Sequence, residues 1–200
     1  MVAHAMRPLA GVLALSAFLA ACDMPLEPEG EVTTSPPASE SVAEAPVAAT
    51  PAEGELKVTL ADPAWTGARI PVGQQCTKFG GIGPKTPPLR VEGLPIGTLR
   101  VLVEFNDADF QPLSYDGGHG KIAFEAGPGT ALLPPVLGET VVMPPGVVIV
   151  ARNRATGDFA RPGYLPPCSG GRDHRYFAIV KAVGPAQEVL AEGRVTIGTY

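Results

Sequence analysis

Two hundred residues are enough for one domain with a core of its own. The formal net charge of −5 is unevenly spread: seven of the 20 acidic residues fall within 23–54, whereas 55–200 carries 14 basic and 13 acidic residues. A near-neutral domain with no basic stripe argues against nucleic acid as a partner.

In chain order, the first segment is "MVAHAMRPLAGVLALSAFLAAC", with one charged residue, Arg7, before an apolar run from Pro8 to Ala21. A bilayer-spanning helix needs about 20 apolar residues, so this shorter run reads as the core of a secretory signal. Leu19-Ala20-Ala21-Cys22 resembles the bacterial lipobox. That resemblance implies a lipoprotein signal peptide over 1–21, cleavage before Cys22, and a membrane anchor of acyl chains on Cys22. Each buried CH2 of such chains contributes about 0.8 kcal/mol to attachment. The expected location is the bacterial cell envelope, outside the cytoplasm, in the periplasm or at the cell surface. Asp23 is similar to the inner-membrane retention signal of enteric bacteria.

Residues 22–54 follow the signal with six Pro, six Glu and one Asp, and with no Lys, Arg or aromatic residue. Such a composition cannot bury enough apolar surface to offset ordering, so it predicts a disordered Pro/Glu/Ala-rich tether. Cys22 being assigned to lipid, Cys76 and Cys168 remain as an even pair in an exported chain, and a disulfide between them is expected.

From 55 to 200 the chain reads as short strands punctuated by Gly and Pro. "ELKVTL" (55–60), "PLRVEGLPIG" (88–97), "TLRVLVEFND" (98–107), "GKIAFEAG", "GVVIVARN", "HRYFAIVKAV" (174–183) and "EGRVTIGTY" (192–200) alternate or run apolar as strands do. "PAQEVLAE" (185–192) is the one helical candidate. Pro84, Pro87, Pro88, Pro134, Pro135, Pro144, Pro145, Pro166 and Pro167 bar any long helix. The expectation is an all-β sandwich or barrel-like domain with little helix.

The pieces also follow a known order. "ARIPVGQQC", "KTPPLRVEGLPIGT", "VEFNDADFQP", "GGHGKIAF", "ARNRATGDFARPGYLPPC", "DHRYFAIV" and "VLAEGRVTIGTY" together resemble the phosphatidylethanolamine-binding protein family, in its bacterial branch of Raf-kinase-inhibitor-like proteins. The resemblance spans about Leu56 to Tyr200. Departures are Arg90-Val91 where the family carries Trp, Ala108 for the Pro of D-P-D, Gly120 for the Trp after His119, and Asp173 for the Pro of P-H-R-Y. A helix-bearing segment near the end is reduced to "GPAQE".

The resemblance implies a pocket built from Asp107, His119, Gly163, Tyr164 and His174, with Tyr176 as a further wall. The residue types support the same chemistry by themselves. Two imidazoles supply donors that protonate near neutral pH, and a neighbouring carboxylate orients a ring and favours its charged form. The expected ligand is therefore a phosphoryl or other small anion, among them a phospholipid head group, bound without catalysis, cofactor or metal. The alternative is a protein-interaction or inhibitor module with a degenerate pocket and an envelope protein as partner. A hydrolase is disfavoured because no serine lies in a nucleophile-elbow context.

Overall fold

The computed structural model describes residues 54–200. The signal peptide, the lipidated Cys22 and the tether up to Glu53 lie outside the described residues. Among the described residues, eight strands form two antiparallel sheets: β1 (Lys57–Leu60), β2 (Leu89–Leu94), β3 (Arg100–Asp107), β4 (Gly120–Glu125), β5 (Gly129–Leu133), β6 (Val147–Ala151), β7 (Arg175–Val183) and β8 (Val189–Thr199). The order is β1-β2-β5 in the small sheet and β6-β4-β3-β7-β8 in the large one. Helix among the described residues is confined to three single 3₁₀ turns, so the all-β expectation holds.

The alternation that marked β3 as a strand also decides its faces. Val101, Val103 and Phe105 point into the core, and their partners on β4 are Phe124, Ile122 and Gly120. On β7 the same row continues as Ala182, Val180 and Ala178. Leu89, Val91, Leu94 and Leu133 of the small sheet close over this surface, with Leu56, Trp65 and Ile197 at its margins. Each fully buried aliphatic side chain of this layer contributes roughly 1.5–3 kcal/mol. The opposite face of the large sheet carries an ionic cluster instead: Lys181 and Lys121 lie 3.0 and 3.3 Å from the Glu104 carboxylate.

Two elements differ from the sequence expectation. β5 was not expected; "GTALL" is short and lacks β-branched residues other than Thr130, and pairing with β2 through Leu89↔Leu133 holds it in place. The helical candidate at 185–192 is a turn followed by the start of β8. Gly184 and Gln187 hydrogen-bond across the turn, Gln187 has φ of 66°, and Val189 pairs with Val183. Strand pairing here outweighs a run of helix formers that is too short to nucleate a stable helix by itself.

The expected disulfide is present: Cys76 and Cys168, 92 positions apart, are bonded with their Cα atoms 5.2 Å apart. It ties the segment before β2 to the loop that precedes β7. That loop forms one wall of the cavity described next.

Candidate functional site

The register of β3 against β7 sets the site. It pairs Asp107, the last residue of β3, with Tyr176. Since core-facing residues alternate, Asp107 extends the row Val101, Val103, Phe105 past the end of the apolar layer. Two positions before Tyr176, His174 lies within reach: its Nδ1 is 2.7 Å from Asp107 Oδ2. The other carboxylate oxygen accepts the Asp109 N–H at 2.9 Å. Asp109 in turn accepts from the backbone N–H and guanidinium of Arg175, which hold its carboxyl down at about 2. This clamp fixes the β3 exit against the β7 entry, and with it the Asp107–His174 pair.

His119 arrives from the opposite side, immediately before β4. Its placement depends on Gly118, where a Cβ would fall 2.3 Å from Leu113 Cα. Only glycine permits that approach. The buried Asn106 side chain accepts the Gly118 N–H and donates to the Glu104 carbonyl, so a polar side chain inside β3 fastens the loop. The His119 ring is 2% exposed, meets the Tyr176 ring edge-on at 5.3 Å, and places Nδ1 2.7 Å from the Leu165 carbonyl. A carbonyl only accepts, so Nδ1 carries the proton. Burial pushes the ring's proton affinity below its ordinary range, against smaller opposing effects of the Leu165 carbonyl and Asp107. His119 is a neutral imidazole, not the cationic donor expected from its residue type.

Asp107, His119 and His174 share one cavity of about 230 Å³ with Phe110, Leu113, Ala155, Thr156, Phe159, Leu165, Cys168, Ser169 and Arg172. Phe110 and Phe159, both substantially exposed, supply aromatic surface to the cavity. Arg172 has no ion-pair partner among the described residues and lines the same cavity as the two imidazoles. Asp173 does not set a second negative charge against His174, because its carboxylate pairs with Arg69 at 3.0 Å. Among the described residues no cluster of three or more His, Cys, Asp or Glu side chains is arranged to hold a metal ion.

Three of the expected pocket residues line this cavity and three do not. Tyr164 is 2% exposed in the main core, its ring 4.6 Å from that of Phe105, and burial pushes its hydroxyl well above the usual tyrosine range. Gly163 has φ of 64°, and a Cβ there would fall 2.1 Å from the Thr140 carbonyl oxygen; its glycine serves a tight crossing of loops. Gly163 lines a shallow surface groove with Arg152 and Arg161, while Tyr164 turns into the core. Tyr176 stands behind His119, not in the wall. Its hydroxyl accepts the Cys168 N–H at 3.2 Å, and burial and then the Asp107 charge raise its proton affinity. Sequence reasoning missed Arg172, Phe110 and Phe159. A charged residue between a Gly-Gly pair and a pocket histidine was the one legible signal among them.

The chain is similar to a solved structure from Chlamydia trachomatis, CT736, described as a homolog of phosphatidylethanolamine-binding protein, at 20% identity and a TM-score of 0.45, covering 74% of this chain and 97% of that one. It is also similar to Escherichia coli YbcL, described as a member of the mammalian phosphatidylethanolamine-binding protein family, at 22% identity and a TM-score of 0.47, covering 74% and 98%. No family model matches the chain, and no curated protein matches it.

Proposed function

We propose that residues 55–200 form a phosphatidylethanolamine-binding-protein-like domain that binds a small phosphoryl or similar anionic ligand without transforming it. The observation that carries this reading is convergence: Asp107, His119 and His174 leave three different strand ends and meet in one cavity that Arg172 flanks. Asp107 orients the His174 ring through Nδ1, and no hydrogen bond among the described residues engages its other nitrogen, which is left for a ligand. Arg172 supplies a permanent positive charge, and the hydroxyl of Thr156 adds a neutral donor. The aromatic surface of Phe110 and Phe159 suits an apolar substituent on the anion.

Binding is favoured over turnover by the state of the two hydroxyls in the wall. Ser169 donates to the Tyr200 carbonyl, and among the described residues neither it nor Thr156 is hydrogen-bonded to a histidine, so both lack the base that activates a nucleophile. The site needs no cofactor in this reading. The Leu19-Ala20-Ala21-Cys22 pattern supports attachment of the domain to a bacterial envelope membrane through lipidated Cys22. Labelling of expressing cells with a radioactive fatty acid tests that part: label in the wild type and none in Cys22→Ala is expected.

The binding reading is tested by NMR of the two imidazoles of the domain while phosphate, phosphoethanolamine and acetate are added. Saturable shifts of both His119 and His174 with the phosphorylated ligands are expected. Signals that ignore every anion overturn the reading and leave the protein-interaction module in its place.

A further inference from the structure

We propose that the cavity selects anions that bring a proton with them: a phosphate monoester in its monoanionic form, in preference to sulfate or to a phosphodiester such as a phospholipid head group. The proposal rests on the anion-binding reading above and narrows its ligand class. The starting observation is His119 Nε2, the one buried side-chain nitrogen or oxygen among the described residues that has no hydrogen-bond partner. The ring cannot exchange its two nitrogens without loss, because Nδ1 is held 2.7 Å from the Leu165 carbonyl and must donate there. Nε2 is thereby left as a lone-pair acceptor on a ring that lines the cavity.

The neighbours do not fill that need. Asp107, at the end of β3, is an acceptor with both oxygens engaged, one by the Asp109 N–H and one by His174 Nδ1. Tyr176, on β7, meets His119 through its ring edge, and its hydroxyl lies against the Cys168 N–H. Arg172, from the loop before β7, carries the charge complement of an anion's unprotonated oxygens, and His174 adds a donor to them whenever its ring is doubly protonated. The cavity thus combines a fixed cationic donor, Arg172, with a buried acceptor, His119 Nε2, that no protein group satisfies. A monoester carrying one P–OH group matches both. Sulfate and a phosphodiester carry no proton near neutral pH, so each sets an oxygen lone pair against a nitrogen lone pair unless His119 is itself protonated. Burial opposes that protonation. A site built around a buried hydrogen-bonding group discriminates strongly against an analogue that leaves it unpaired.

Isothermal titration of the purified protein with methyl phosphate, dimethyl phosphate and sulfate tests this. At pH 5.5 the monoester and the diester carry nearly the same charge, so the P–OH group is the main difference between them. Methyl phosphate is expected to bind at least about tenfold more tightly than either competitor. Its affinity is expected to fall by about tenfold per pH unit above the second pKa of a phosphate monoester, near ~6. His119→Asn keeps an amide donor for the Leu165 carbonyl and removes the second nitrogen. It is expected to bring the preference to within about twofold while sulfate still binds. Equal affinity for the three ligands in the wild type overturns the selectivity and leaves anion binding intact. Failure of all three to bind overturns the anion-binding reading, and the selectivity with it.

Discussion

Removing the Cys76–Cys168 bond tests how the cavity wall is held. The bond closes a loop between residues 92 positions apart, a loop that contains β2 to β6. In the chain-entropy account, a closed loop of that length restricts the unfolded chain by about 4–5 kcal/mol at room temperature. Natural domains have only about 5–15 kcal/mol of stability, so a Cys76→Ala/Cys168→Ala variant is expected to fold but to be close to its limit. With a urea slope of about 2 kcal/mol per molar, the unfolding midpoint drops by about 2 M. Wild type in excess reductant is expected to shift by a similar amount, since Cys76 is fully buried and the reduced thiols stay packed. The same variant is expected to lose anion affinity, because Cys168 lines the cavity and its backbone N–H meets the Tyr176 hydroxyl behind His119. Urea melts followed by far-ultraviolet circular dichroism give the midpoints. A shift below about 0.5 M in both the variant and the reduced protein would refute the claim that this cross-link constrains the chain.

Three further outcomes follow from particular side chains. Tyr164→Ala is expected to cost about 3–5 kcal/mol through the cavity it opens beside Phe105, while Tyr164→Phe keeps anion affinity within about twofold; a large affinity loss in Tyr164→Phe would restore the tyrosine to the pocket. Arg172→Gln is expected to lower anion affinity about tenfold and to move stability by less than ~0.5 kcal/mol, as its side chain is exposed and unpaired among the described residues; unchanged affinity removes Arg172 from the site. Because burial depresses proton binding by folded His119, the unfolded chain takes up that proton more readily. The stability tied to this group is therefore complete above the ordinary histidine value of 6.5 and is lost as pH falls below it. Urea melts at pH 7.5 and 5 compare wild type with His119→Asn; the variant is expected to lose less stability on acidification, and an equal loss contradicts the assignment of His119 as a buried neutral ring.

Much of the sheet was legible because burial imposes a period on the chain. β3 and β7 are long, central and apolar at alternate positions, so their alternation survives in the sequence. β5 has no such pattern, and its strand character comes from a partner 40 residues earlier, a long-range term that no local window contains. The segment 185–192 shows the opposite error, where local helix formers lose to pairing with β7. The site divides along similar lines. Asp107, His119 and His174 were legible as scarce polar residues at strand ends within an ordered set of motifs. Tyr164 misled because a motif fixes position in the chain but not the side to which a loop turns its ring. Arg172 and the two phenylalanines reach the cavity from loops whose paths depend on the disulfide and on the close packing at Gly118. The protonation of His119 was invisible for a different reason: it is set by one backbone carbonyl, that of Leu165, 46 positions away.

The most direct test of the central claim is a crystal structure of the protein grown with saturating methyl phosphate. The account predicts a tetrahedral anion in the cavity, within hydrogen-bond distance of the His174 ring nitrogen opposite Asp107 and of the Arg172 guanidinium, with one oxygen facing His119 Nε2. An empty cavity at a concentration that saturates the protein in solution, or an anion bound elsewhere, contradicts it.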